Sequence, residues 1–189
     1  MQQKSSSTRM FTRHAASAAL LLSCGIAGAF AQPGQLNMKV SGSTAASTVN
    51  LQPGTPASEY QLTGNGDLGR FTLRVISAGG APQPTATCSG PTKLYVPVVA
   101  GGAVARFENG DLLTGRLTQG SDCIDFAAGH AVCIRVFQVS GGTGRFNNTS
   151  SAMITLTMTV TPVIGDSSGN PVFFSVTGEV TGAIPGLHD

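Results

Sequence analysis

Val139-Ser140-Gly141-Gly142-Thr143-Gly144-Arg145-Phe146 leads through a short loop into the run 152–163. The glycines suit a tight reversal, because they adopt backbone angles that side chains forbid. Phe146 then supplies an apolar anchor. In the run that follows, Ile154, Leu156, Met158 and Val160 fall on one side, and Thr155, Thr157, Thr159 and Thr161 on the other. That period of two predicts a half-buried strand.

The same device recurs upstream. Phe71, Leu73 and Val75 alternate with Arg70, Thr72 and Arg74 after the turn 64–69. Further candidate strands are 36–41, 60–63, 93–100 (bent or at an edge, because of Pro97), 103–107, 112–118, 123–126, 130–139 and 172–181. Glu108-Asn109-Gly110-Asp111 is a hairpin turn by its Asn-Gly. Residues 78–91 hold six glycine and proline turn formers, Gly79, Gly80, Pro82, Pro84, Gly90 and Pro91, and read as loop. No window has a sustained helical period. Short turns between successive strands predict an antiparallel all-β domain of eight to ten strands, a β-barrel, which would leave no exposed edges, with a β-sandwich as the alternative. Gly69-Arg70-Phe71, Ala105-Arg106-Phe107, Gly115-Arg116-Leu117 and Gly144-Arg145-Phe146 share a small–Arg–apolar form. In each, the apolar residue is expected in the core and the arginine in solvent or facing a carboxylate.

Residues 1–31 read as an export signal. Lys4, Arg9 and Arg13 precede a small-and-apolar stretch, and Ala29-Phe30-Ala31 supplies a cleavage pattern. Leu21-Leu22-Ser23-Cys24 offers the alternative of a lipoprotein anchored at Cys24. Residues 32–58 read as a flexible lead-in and loop with one candidate strand, and 59–189 as the barrel domain, whose first strand could start at 36. Three of the 11 Lys and Arg lie in the signal, which leaves 8 against 9 Asp and Glu, a net charge of −1. No basic run of the kind that nucleic-acid binding uses is visible. The 158 residues beyond the signal suffice for a packed core, burying roughly 70% of their unfolded surface. A membrane-spanning barrel would want aromatic girdles, and the chain has two Tyr and no Trp.

An exported chain reaches a compartment that permits disulfides. A three-residue loop Ala127-Ala128-Gly129, with Gly129 left-handed, would set Phe126 opposite His130 and Cys123 opposite Cys133. Cys123–Cys133 is therefore the expected bridge, with Cys88 free. A bridge from Cys88 to either of the others is the alternative.

Several motifs match only on paper. Gly64-Asn65-Gly66-Asp67-Leu68-Gly69 fits G-x-G-x-x-G, but a strand follows it where a dinucleotide site needs a helix. Gly165-Asp166-Ser167-Ser168-Gly169 fits G-x-S-x-G, but lies between two strands. His130 with Cys123 and Cys133 falls short of the four ligands of a zinc site. Asp122, Asp125, Glu108 and Asp111 read as turn formers. No catalytic residue, cofactor or metal is assigned.

Gly141-Gly142-Thr143-Gly144-Arg145-Phe146 resembles the G-G-T-G-[RK]-F segment of dirigent proteins, of the allene oxide cyclase-like barrels. Exported bacterial proteins of unknown role carry a similar segment. The resemblance covers about 30 residues, 131–160, and implies an eight-stranded antiparallel barrel with a central cavity. Where the family places a small residue and then a glycine before the next strand, this chain has Thr149 and Ser151. No catalytic residue of that family matches a position here. The expected function is an exported, non-catalytic barrel that binds a small apolar ligand or has a structural envelope role. The alternatives are a cyclase- or isomerase-like enzyme and a surface adhesion module.

Overall fold

The structure is a computed structural model and describes residues 34–149, 151–185 and 187. The expected signal, its cleavage site and Cys24 lie outside these residues. Eight antiparallel strands close into a barrel in sequential order. They are β1 (Gly34–Ala46), β2 (Ala57–Gly66), β3 (Gly69–Gly79), β4 (Lys93–Phe107), β5 (Leu112–Asp125), β6 (His130–Gly142), β7 (Met153–Gly165) and β8 (Pro171–Ile184). The sandwich alternative is thereby replaced by a closed barrel.

Eight strands result, where up to ten were expected, because two pairs of short candidates are single long strands. The segments around 93–100 and 103–107 join through Gly101-Gly102 into β4, and those around 112–118 and 123–126 join through Gly120 into β5. Pro97, Gly101 and Gly120 made each look like two pieces.

β1 is longer than its apolar core suggested. Leu36, Met38 and Val40 point inward, and the strand, expected over 36–41, continues through Ser43-Thr44-Ala45-Ala46. There it pairs with β2 on one side and β8 on the other. Buried Thr44 meets its hydrogen-bonding need by donating to the Glu59 carbonyl. The one candidate strand within 32–58 is thus the first strand of the barrel, extended to Gly34–Ala46, and the loop shrinks to residues 47–56.

Alternation holds in β3 and β7. Phe71, Leu73 and Val75, and Ile154, Leu156, Met158 and Val160, are all buried in the core. Charged side chains of β1, β3 and β4 point outward. On these strands, apolar inside and charged outside is the reverse of the pattern in a membrane-spanning barrel.

The opening motif closes one end of the barrel. Gly141 and Gly142 end β6, and Gly144–Phe146 form a 3-10 turn. Phe146 is fully buried and stacks on Phe107 at 4.8 Å, which in turn meets Phe71 at 5.4 Å. Three of the four small–Arg–apolar segments therefore bring their aromatic rings to a single cluster. Gly144 has φ +58, and a Cβ there would collide with the Asp111 carboxylate. Arg145 does more than fill a turn. Its Nη2 donates to the Leu68 carbonyl at 2.8 Å, and its Nε faces Asp111 Oδ2 at 3.5 Å. Its guanidinium also covers the Phe107 and Phe146 rings at 4.8 and 5.1 Å. One side chain so ties the β2–β3 turn, the β4–β5 turn and the plug together.

The expected Cys123–Cys133 bridge does not form. Cys123 is bonded to Cys88, with Cα atoms 5.6 Å apart, and Cys133 is a buried free thiol. Two features of β5 account for this. The β5–β6 hairpin has a four-residue loop, Phe126–Ala127–Ala128–Gly129, so Asp125 faces His130 and Cys123 faces Val132. A one-residue slip sends every side chain to the opposite face. A bulge between Leu117 and Gln119 also changes the inward set from odd to even positions. Asp122 consequently faces Cys133 on the inside, and Cys123 faces outward. There it meets the loop 80–92, which follows the edge of β4 by hydrogen bonds from Gly80 and Gln83 to the Pro97 and Tyr95 carbonyls. Gly129 is left-handed, as expected, with φ +68.

Candidate functional site

The end opposite the Phe146 plug is open. The carboxyl ends of β1, β5 and β7 and the amino ends of β2, β6 and β8 surround a cavity of about 490 Å³. Its walls are largely apolar: Ile124, Phe126, Ala131, Val160, Pro162 and Phe174. Tyr60, Asp122 and Cys133 form its floor. Below the floor the barrel is filled. The space left among Leu73, Ala105, Phe137, Leu156 and Val180 is about 40 Å³ and apolar, room for a water or two at most.

Arg135 organises the floor. It is an inward position of β6, between Cys133 and Phe137, and is 1% exposed. Gly120 makes room for it, since a Cβ there would press on the Arg135 Cδ and on Val98. Nη1 donates to Asp122 Oδ1 at 2.7 Å and to the Ser121 and Ile134 carbonyls at 3.0 Å. Nη2 donates to the Tyr60 hydroxyl at 3.2 Å, and Nε to Ser77 Oγ at 3.3 Å. The charge is both paired and hydrogen-bonded, which a buried guanidinium requires.

Burial works against the Arg135 charge, but the Asp122 carboxylate and then Tyr60 overcome it and hold its pKa above the ordinary value. Burial pushes the Tyr60 hydroxyl up, against the pull of Arg135. Burial and then the neighbouring Asp122 carboxylate push the Cys133 thiol up. Tyr60 and Cys133 are thus neutral at physiological pH, and Cys133 is not an activated nucleophile. With its oxygen accepting from Arg135, Tyr60 keeps its own O–H to donate. Asp122 Oδ2 is a further acceptor. The floor therefore offers a donor and an acceptor side by side beneath apolar walls.

Of the residues singled out from sequence, Gly141, Gly142, Gly144, Arg145 and Phe146 lie at the closed end, away from this cavity. Cys123 is outside the barrel wall, and Cys133 is in the floor. Asp125 is the turn former it was expected to be, accepting from the Ala127 and Ala128 amides at 3.1 Å. Asp122 is not. The paper motifs are hairpin turns: Asp67-Leu68 joins β2 to β3, and Asp166 caps the β7–β8 turn by accepting from the Ser168 and Asn170 amides. Among the described residues, no group of three or more His, Cys, Asp and Glu could hold a metal.

Sequence reading missed Arg135, Tyr60 and Ser77. Both faces of β6 are apolar, Cys133, Phe137 and Val139 on one side and Val132, Ile134 and Val136 on the other. Alternation alone could not say that Arg135 points inward. Among the described residues no helix is long and apolar enough to cross a membrane. The Cys88–Cys123 disulfide suits an oxidising compartment. No family model, curated protein or solved structure matches the chain.

Proposed function

We propose that the protein is an exported, non-catalytic barrel that holds a small, largely apolar ligand in its open mouth, with one hydroxyl or carbonyl group of the ligand on the floor. The observation that carries this reading is the pairing of an apolar-walled cavity of about 490 Å³ with the Tyr60–Asp122–Arg135 cluster. Ligand sites are typically of this size and character, with few polar groups among apolar walls. The closed eight-stranded barrel is also the architecture that the dirigent-like resemblance implies, which supports that kinship as part of the proposal. An adhesion module on a sandwich loses its architecture.

Fluorescence titration with 1-naphthol and naphthalene tests the reading. Saturable one-to-one binding is expected, with 1-naphthol favoured by roughly tenfold, the worth of about one buried hydrogen bond. Tyr60→Phe should erase that preference, and Ile124→Trp should fill the mouth and abolish binding of both. No saturable binding, or binding indifferent to Ile124→Trp in a variant with unchanged circular dichroism, leaves a structural envelope role.

The inward-pointing Asp122 favours a second reading, an enzyme of the cyclase or isomerase type. Asp122 would then accept a proton and Tyr60 donate one. Under that reading Asp122→Asn retains ligand but stops its conversion, read by mass spectrometry of the recovered ligand.

A further inference from the structure

The cations of the barrel are unevenly distributed. Arg135, Arg145 and Lys93 are spoken for by Asp122, Asp111 and Asp125. The other described cations, Lys39, Arg70, Arg74, Arg106 and Arg116, all point outward from four of the five contiguous strands β1–β5, β2 carrying none, and all are exposed. Among the described residues only Arg70 of these makes an ion pair, with Glu108 at 3.9 Å, both side chains being at least 70% exposed. Such a pair holds little energy and yields readily to another anion. Three other carboxylates border the group: Asp67, exposed in the β2–β3 turn beside Arg70, Glu59, which accepts from the Ser47 hydroxyl, and Glu179, which lies across from Lys39. The five cations thus stand against four carboxylates, counting Glu108, so the wall is basic by arrangement and hardly by excess.

Register fixes its layout. Lys39, Asn65 and Arg70 form one row across β1–β3, and Ser41, Thr63, Thr72 and Arg106 the next across β1–β4. Gln61 pairs with Arg74 in the third row, and Arg116 faces Gly102 beyond it. From strand spacing and rise, successive cations along this diagonal are about 8–12 Å apart. Hydroxyls and amides fill the gaps. A surface groove of about 840 Å³ runs along the first two rows, with Lys39, Arg70 and Arg106 and the one carboxylate Glu108 on its edges.

We propose that this wall binds a linear acidic polysaccharide. Spaced charges separated by hydroxyl and amide groups match a polymer whose carboxylates or sulfates alternate with sugar hydroxyls. The rings of Tyr60, Phe71 and Phe107 on these strands are buried, so no stacking platform is offered to the bases of a single-stranded nucleic acid. Val104 is the exposed large apolar side chain among the rows, so little is offered for insertion into a bilayer. A barrel wall is convex as well, and a flexible chain can follow it where a flat membrane touches only part.

The test is titration calorimetry of the full mature chain with heparin and polygalacturonate, with neutral dextran as control. Binding to either acidic polymer and not to dextran is expected, weakening by roughly tenfold or more as salt rises from about 50 to about 300 mM, because the contacts are exposed and screened. The variant Arg74→Gln/Arg106→Gln/Arg116→Gln should lose roughly tenfold in affinity with its melting temperature held. Lys93→Gln, a cation elsewhere on the barrel, should change affinity by no more than about twofold, as a distant screened charge does. Equal loss in both variants overturns the proposal. So does absence of binding to both acidic polymers at low salt, or tighter binding to oligo-dT or to phosphatidylglycerol vesicles than to either. The 1-naphthol site at the mouth is untouched by these substitutions, so the two proposals fail separately.

Discussion

At Arg135 the barrel buries a charge that a Leu or Met could replace in volume, and it surrounds that charge with five acceptors. Removing one partner of such a pair strands the other. Arg135→Met should therefore destabilise by about 3 kcal/mol or more in urea unfolding. Adding Asp122→Leu should cost less than the sum of the two single changes, because no carboxylate is then left unpaired. The neutral groups beside it give stability a pH dependence. Cys133 and Tyr60 are held protonated by burial, so their folded pKa values stand above the unfolded ones. Below about pH 8.5, where thiol and phenol are protonated in both states, they contribute a level term. As pH rises past the unfolded values, the unfolded chain releases protons that the fold retains. Stability then falls, by about 1.4 kcal/mol per pH unit for each group. Urea unfolding across this range checks the slope, and Cys133→Ala should postpone its onset to the phenol range near pH 10. At the acid end, Asp125 and Asp166 are held below the ordinary carboxylate range by backbone amides. Their share is present above the unfolded pKa and is lost as pH falls through the folded one.

Among the elements, β5 and the β6–β7 connection carry most of what distinguishes this barrel. The β5 bulge turns Asp122 inward and Cys123 outward, and so sets both the polar floor and the disulfide. Nothing in Leu117-Thr118-Gln119 announces it, because a bulge answers to the partner strand. The connection is more legible. Its glycines mark the turn, and Phe146 becomes the plug expected of an anchor residue. Ser151 lies where the resemblance expects a glycine, and its backbone is left-handed, with φ +76. The left-handed backbone is adopted here by a residue other than the glycine that takes it with least strain. Ser151→Gly should therefore stabilise the protein by about 0.5–1 kcal/mol, relief of left-handed strain outweighing the added freedom of the unfolded chain. Thermal and urea unfolding would read the gain. Unchanged or lower stability would mean that the Ser151 side chain is itself a favourable contact.

Over the whole molecule, closure of β1 onto β8 gives the barrel one plugged and one open end, and a basic wall on one flank. Lys39, Arg70, Arg74, Arg106 and Arg116 are scattered along the chain, so no basic run is visible in the sequence, and only strand pairing gathers them. The same holds for the floor, where Tyr60, Ser77, Asp122 and Arg135 come from β2, β3, β5 and β6. By itself the sequence determined the all-β class, the antiparallel order, the turns, and the inward faces of β3 and β7. Alternation, glycine placement and Asn-Gly chemistry are local properties, expressed within a few residues. Only the tertiary structure decided the cysteine pairing, the inward face of β6, the open mouth and the basic wall. Each depends on the register between strands, and a slip of one residue in a hairpin or a bulge exchanges the two faces of everything beyond it.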